Sequence, residues 1–71
     1  MALVEAARRE EHTVGKYKIT LLRDPDGRII GALIEGGRLT RPVYIAYGEN
    51  VHYKLPKNVK KFLQRHGFHI D

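Results

Sequence analysis

The stretch "YKITLLRDPDGRIIGALIE", residues 17 to 35, commits this chain to an antiparallel β-hairpin. Tyr17, Ile19 and Leu21 alternate with Lys18 and Thr20, the period of two that marks a half-buried strand. Asp24 can cap the turn, Pro25 presets the dihedral of its second position, and Gly27 accepts the left-handed residue of a hairpin with a bulge. The return strand is apolar on both faces, with Ile29 and Leu33 expected on one side and Ile30, Ala32 and Ile34 on the other. Such a strand either sits centrally in a strongly curved small barrel, with Gly31 permitting the bend, or lays one face against a second copy of the protein.

The remaining elements follow by periodicity. "EGG" at 35 to 37 turns the chain, and Pro42, unable to donate to a ladder, marks an edge or a strand start in "RLTRPVYIAY". Val43, Ile45 and Tyr47 share one face there, Tyr44 and Ala46 the other. "VHYKL" at 51 to 55 predicts a further strand that buries Val51, Tyr53 and Leu55 and presents His52 and Lys54. Pro56 suits the first turn of a helix, and Val59, Phe62, Leu63 and His66 form one apolar stripe, so a helix is expected over 56 to 66. Gly67 is placed to end it in a left-handed cap, with Phe68 folding back on Leu63. Residues 2 to 11 read as a short helix with Leu3, Ala6 and Ala7 inward, so residues 1 to 15 are expected to be an N-terminal helix or flexible arm. The expected fold is α+β, mainly β. Residues 16 to 71 form a small antiparallel four-stranded curved sheet, or a partly closed SH3-like or OB-like barrel, with a C-terminal helix.

A chain of 71 residues makes one domain and buries only about 60% of its extended surface. It has no cysteine, so neither a disulfide nor a thiolate metal site can staple it. Stability must come from apolar packing, surface ion pairs or self-association. The start "MALVEAARREE" is charged where a secretory leader needs an uncharged apolar run, and no stretch is long enough to span a membrane, so a cytoplasmic (intracellular) protein is expected. The low count of amide and sulfur side chains beside a charged fraction of 30% is the bias of proteins from hot environments.

The net charge of +5 is unevenly placed. Residues 1 to 36 balance six basic against six acidic side chains, whereas residues 37 to 71 hold seven basic and two acidic ones. That asymmetry points to a polyanion or an acidic partner. Lys57, Lys60, Lys61 and Arg65 lie off the apolar stripe of the expected helix without a balancing acid, and like charges four apart cost a few tenths of a kcal/mol each. Tyr44, out of phase with its apolar neighbours and expected beside Arg38, Arg41, His52 and Lys54, would give a stacking platform flanked by cations.

Catalysis finds little support. Serine and cysteine are absent, and Thr13, Thr20 and Thr40 sit like strand or loop residues. Asp24 and Asp26 are explained by their turn, which leaves His52 as the one candidate general acid or base. His66 and His69 are separated by the expected helix end, and Glu49 and His52 straddle a turn, so no metal site is expected. "IEGGRL" joins strands rather than opening a helix, so no nucleotide cofactor is expected either.

A tight acidic and glycine turn in a basic sheet, followed by a helix, resembles the small archaeal chromatin proteins with SH3-like barrels. The resemblance covers strand order and composition over residues 16 to 66 without a specific motif, and this chain lacks the tryptophan such proteins often place on DNA. Two functions are expected from the sequence. One is a non-catalytic module that binds DNA or RNA through phosphate contacts from Lys57, Lys60, Lys61, Arg65, Arg38, Arg41 and Lys54, with Tyr44 stacking and little sequence preference. The alternative is a protein-interaction or assembly module, a homodimer through the apolar strand at 28 to 35.

Overall fold

The computed structural model describes residues 8–51 and 54–70. The chain runs β1 (Arg8–Val14), β2 (Tyr17–Arg23), β3 (Ile29–Gly36), β4 (Val43–Ala46), β5 (Asn50–Val51), α1 (Lys57–Arg65) and β6 (His69–Ile70). The first four strands form one antiparallel sheet in the order β1-β2-β3-β4, and β5 pairs in parallel with β6. Because β1 and β4 are the two ends of that order, the sheet is open rather than closed into a barrel.

The β2–β3 hairpin forms as its residues require. Asp24 Oδ1 accepts the amide hydrogens of Asp26 (3.0 Å) and Arg28 (2.8 Å), and Gly27 takes φ +87°. The register slips beside the turn. Leu22 faces Gly31 but Arg23 faces Ile29, so Ile30 is an extra residue on β3 and stands exposed. This bulge corrects the expected faces of the strand. Ala32 and Ile34 are buried with Leu33 on the opposite face, as expected, whereas Ile29 joins the core side and Ile30 leaves it.

Two further expectations are corrected. Residues 8 to 11, read as part of a short helix, belong to β1, which pairs with β2 along its whole length from Arg8↔Arg23 to Val14↔Tyr17. Local helix propensity in "EAARRE" is worth tenths of a kcal/mol per residue, less than a seven-residue ladder that covers the edge of β2. Residues 1–7 lie outside the described residues. Of the expected strand at 51 to 55, the described residues Val51, Lys54 and Leu55 do not join the four-stranded sheet. Asn50–Val51 pairs with His69–Ile70 beyond the helix, and Lys54 and Leu55 lead irregularly into α1. The fourth strand of the sheet is thus N-terminal, and His52 and Tyr53 lie outside the described residues.

One face of the sheet carries the core. Ile19, Leu21, Ala32, Ile34 and Ile45 meet Val59 and Leu63 of α1, with Phe68 and Ile70 closing the cluster. The helix begins after Pro56, whose carbonyl accepts the Lys60 amide hydrogen at 2.9 Å. At its other end the Gly67 N–H reaches the Gln64 carbonyl (3.0 Å) and the Phe68 N–H reaches the Leu63 carbonyl (3.1 Å). Those two bonds, with Gly67 at φ +91° and Phe68 buried, make the left-handed cap that the sequence predicts. A Cβ on Gly67 would also meet the Tyr47 hydroxyl, whose ring packs edge-on against Phe68 at 5.1 Å. Gly67→Ala is therefore expected to cost about 1 to 2 kcal/mol in chemical denaturation. An unchanged midpoint would contradict the cap.

Candidate nucleic-acid interface

Helix α1 turns a basic ridge to solvent because its apolar stripe is held by the sheet. Val59 and Leu63 are fully buried, whereas Lys57, Lys61 and Arg65, spaced by four, lie exposed on the opposite side. Lys60 is half-buried on the flank of that ridge. At 1.5 Å per residue the ridge is ~12 Å long, which matches three to four phosphates of one strand. The first turn holds no acidic residue, so Lys57 sits against the positive end of the helix without compensation.

Five of the six described acids are engaged away from the helix. Lys18 Nζ lies 3.6 Å from Glu11 and 3.7 Å from Glu35, and Arg23 Nη2 lies 3.2 Å from Glu10 Oε1. The His12 ring, and next the Arg23 guanidinium, hold the Glu10 carboxyl below its ordinary value. The His12 Nε2 lies 3.4 Å from Glu10 Oε1. Asp24 serves its turn, and Glu49 Oε1 accepts the Ala46 amide hydrogen at 3.3 Å. Among the described residues, none of Lys54, Lys57, Lys60, Lys61, Arg65, Arg38 and Arg41 has a carboxylate within 4 Å. The sequence asymmetry in charge has become a spatial one.

The structure brings part of the expected set together. Arg38 and Arg41 are exposed on the loop between β3 and β4, which leaves the sheet beside Tyr17, where the Arg38 amide donates to the Tyr17 hydroxyl at 3.4 Å. Tyr17 also opens β2 after the β1–β2 turn, and the Asn58 side chain of α1 lies over Gly15 in that turn. Hence the arginine loop and the start of the helix, with Lys57, share one end of the sheet. Lys54 is exposed on the segment that leads into α1.

Tyr44 is not with them. It pairs with Leu33, which pairs with Thr20, and this row points away from the core row Ile45, Ala32 and Leu21. Its hydroxyl end lies over Gly31, where any Cβ would collide with it. The full thickness of the sheet separates Tyr44 from the helix. The exposed aromatic ring on the helix side is Tyr47, expected at the core or its edge, which packs on Phe68 while staying 46% exposed. It lies against the Gly67 cap and lines a depression of about 480 Å³ with Arg23, Arg28 and Ile29. The sequence signal for this was Gly48, since a strand that ends at Ala46 leaves residue 47 at its rim.

Three of the four histidines lie among the described residues. The His66 ring nitrogen Nδ1 donates to the Phe62 carbonyl at 2.9 Å, and His12, Phe62 and His66 stack where β1 meets α1. His69 is exposed on β6. No group of three or more metal-ligating side chains is present among the described residues, and none of the described helices is long and apolar enough to cross a membrane. No protein-family model matches the chain, no curated protein matches its sequence, and no solved structure matches it.

Proposed function

We propose that this chain is a small non-catalytic nucleic-acid-binding module that grips the phosphate backbone of DNA or RNA. The observation that carries the reading is the exposed Lys57–Lys61–Arg65 ridge, free of carboxylates within 4 Å among the described residues. Lys60 supports the ridge from its flank, and Lys54, Arg38 and Arg41 extend it past the start of the helix. A closed SH3-like or OB-like barrel is not needed for this, because a helix ridge meets phosphates from any sheet that backs it. Bases of a single strand would stack on Tyr47 rather than on Tyr44, since only Tyr47 shares the helix side.

Fluorescence anisotropy with labelled double-stranded and single-stranded DNA and RNA, titrated between 50 and 200 mM salt, tests the reading. Binding should weaken linearly in log salt with a slope of about 0.9 per phosphate contact on duplex DNA, and change little between sequences. Failure to bind either nucleic acid at 50 mM salt would end it.

A further inference from the structure

The outer face of the sheet, opposite α1, carries a pattern that the phosphate reading leaves unused. Its rows are Arg9–Leu22–Gly31–Ala46, Glu11–Thr20–Leu33–Tyr44 and Thr13–Lys18–Glu35, read across paired strands. An apolar diagonal of Leu22, Leu33 and Tyr44 runs beside a rim of two cations and two anions. Tyr44 is 49% exposed, yet Thr20 in the middle is 5% exposed, so the face is sunken at its centre. The rim sums to zero charge, which suits neither a polyanion nor a polycation.

We propose that this face docks a second copy of the chain across a two-fold axis that lies in the face and passes over Thr20. With strands ~4.8 Å apart and residues on one face ~6.6 Å apart along them, the register makes a near-rectangular lattice. Thr20 is the midpoint between Arg9 and Glu35 on that lattice. The two-fold that carries Arg9 onto the partner's Glu35 also carries Glu11 to within ~3 Å, in projection, of the partner's Lys18. It brings Leu22 to within ~3 Å, in projection, of the partner's Leu33. Lys18 already sits between Glu11 and Glu35 of its own chain. The operation therefore adds the partner's Arg9 to Glu35, keeps opposite charges facing in both rim pairs and stacks the apolar diagonals. The strands of the two copies cross at roughly 70°, close to the orthogonal class of sheet packing.

The area sets the strength. A face of four strands and about seven residues covers ~450 Å² in plan, so two copies bury on the order of 1,000 Å², at the lower bound for a specific interface. Dissociation is therefore expected in the range of tens to hundreds of micromolar. Both helices remain outside, so a dimer would present two basic ridges on opposite surfaces. The inference does not depend on nucleic-acid binding.

Sedimentation equilibrium of the full chain between 10 μM and 1 mM, without nucleic acid, is the experiment. Wild type should pass from monomer to dimer over that range. Glu35→Arg should weaken association at least tenfold by setting Arg9 against a like charge. Adding Arg9→Glu should restore it to within threefold. Arg9 and Glu35 are ~16 Å apart in one chain on the same lattice, so the rescue must act between chains. Far-ultraviolet circular dichroism confirms that each variant is folded. A wild type monomeric at 1 mM, a single variant that dimerises as wild type does, or a double variant without rescue would each overturn the proposal.

Discussion

Reversing Lys57, Lys60 and Lys61 to glutamate is expected to reduce nucleic-acid affinity by about 10² to 10³ near 0.1 M salt and to lower the log-salt slope by about three units. Each lost phosphate contact removes about one released counterion, which near 0.1 M salt is worth close to a factor of ten. The loss should be the same for all sequences, since the ridge offers point charges to phosphates and no base-reading group. Net charge falls from +5 to −1, so a second comparison separates the ridge from the bulk effect: Lys61→Glu should cost far more than Lys16→Glu in the exposed β1–β2 turn. Unfolding cannot account for the expected loss. The triple change leaves like charges at 57 and 61 but makes the pair at 61 and Arg65 attractive. It also places glutamate in a first turn that has no acid, so the helix should not be weakened. A variant that keeps the wild-type salt slope would remove α1 from the interface.

Leu63→Ala should be the most destabilising truncation in the helix. Leu63 is fully buried between Val59, Phe68 and the sheet residues of the core, and its carbonyl also receives the cap hydrogen bonds from His66 and Phe68. Deleting a leucine at such a site costs about 2 to 5 kcal/mol. A 71-residue domain holds only about 4 to 10 kcal/mol in total, so roughly half of its stability would go. Leu22→Ala, on the outer face and half-buried, should cost about 1 kcal/mol by the transfer of less area. Equal losses at the two sites, measured by urea denaturation at low protein concentration, would contradict the assignment of the core to the helix face.

Much of the architecture is local and so could be read from the residues. Asp24, Pro25 and Gly27 specify a turn within five residues, and the cap at Gly67 and Phe68 needs only the preceding turn of helix. The stripe of Val59, Phe62, Leu63 and His66 places Lys57, Lys61 and Arg65 in solvent whatever the helix packs on, which is why the basic ridge was legible in advance. Phase along a strand is different. One extra residue at Ile30 moves Ile29 to the core side and leaves Ile30 exposed, and nothing within the strand announces where the partner will slip. Tyr44 was correctly read as out of phase with Val43 and Ile45, but which neighbours shared its face depended on the pairing of β3 with β4. The strand character of Arg8–Val14 and the parallel pairing of Asn50–Val51 with His69–Ile70 were likewise decided by partners far along the chain. By itself the sequence determined the turn, the helix, its cap and the sign of its exposed face, because those energies are settled within one or two turns of chain. Only the tertiary structure decided which strands are neighbours and which side of the sheet each side chain reaches, because a ladder gains its stability from residues the local sequence does not contain.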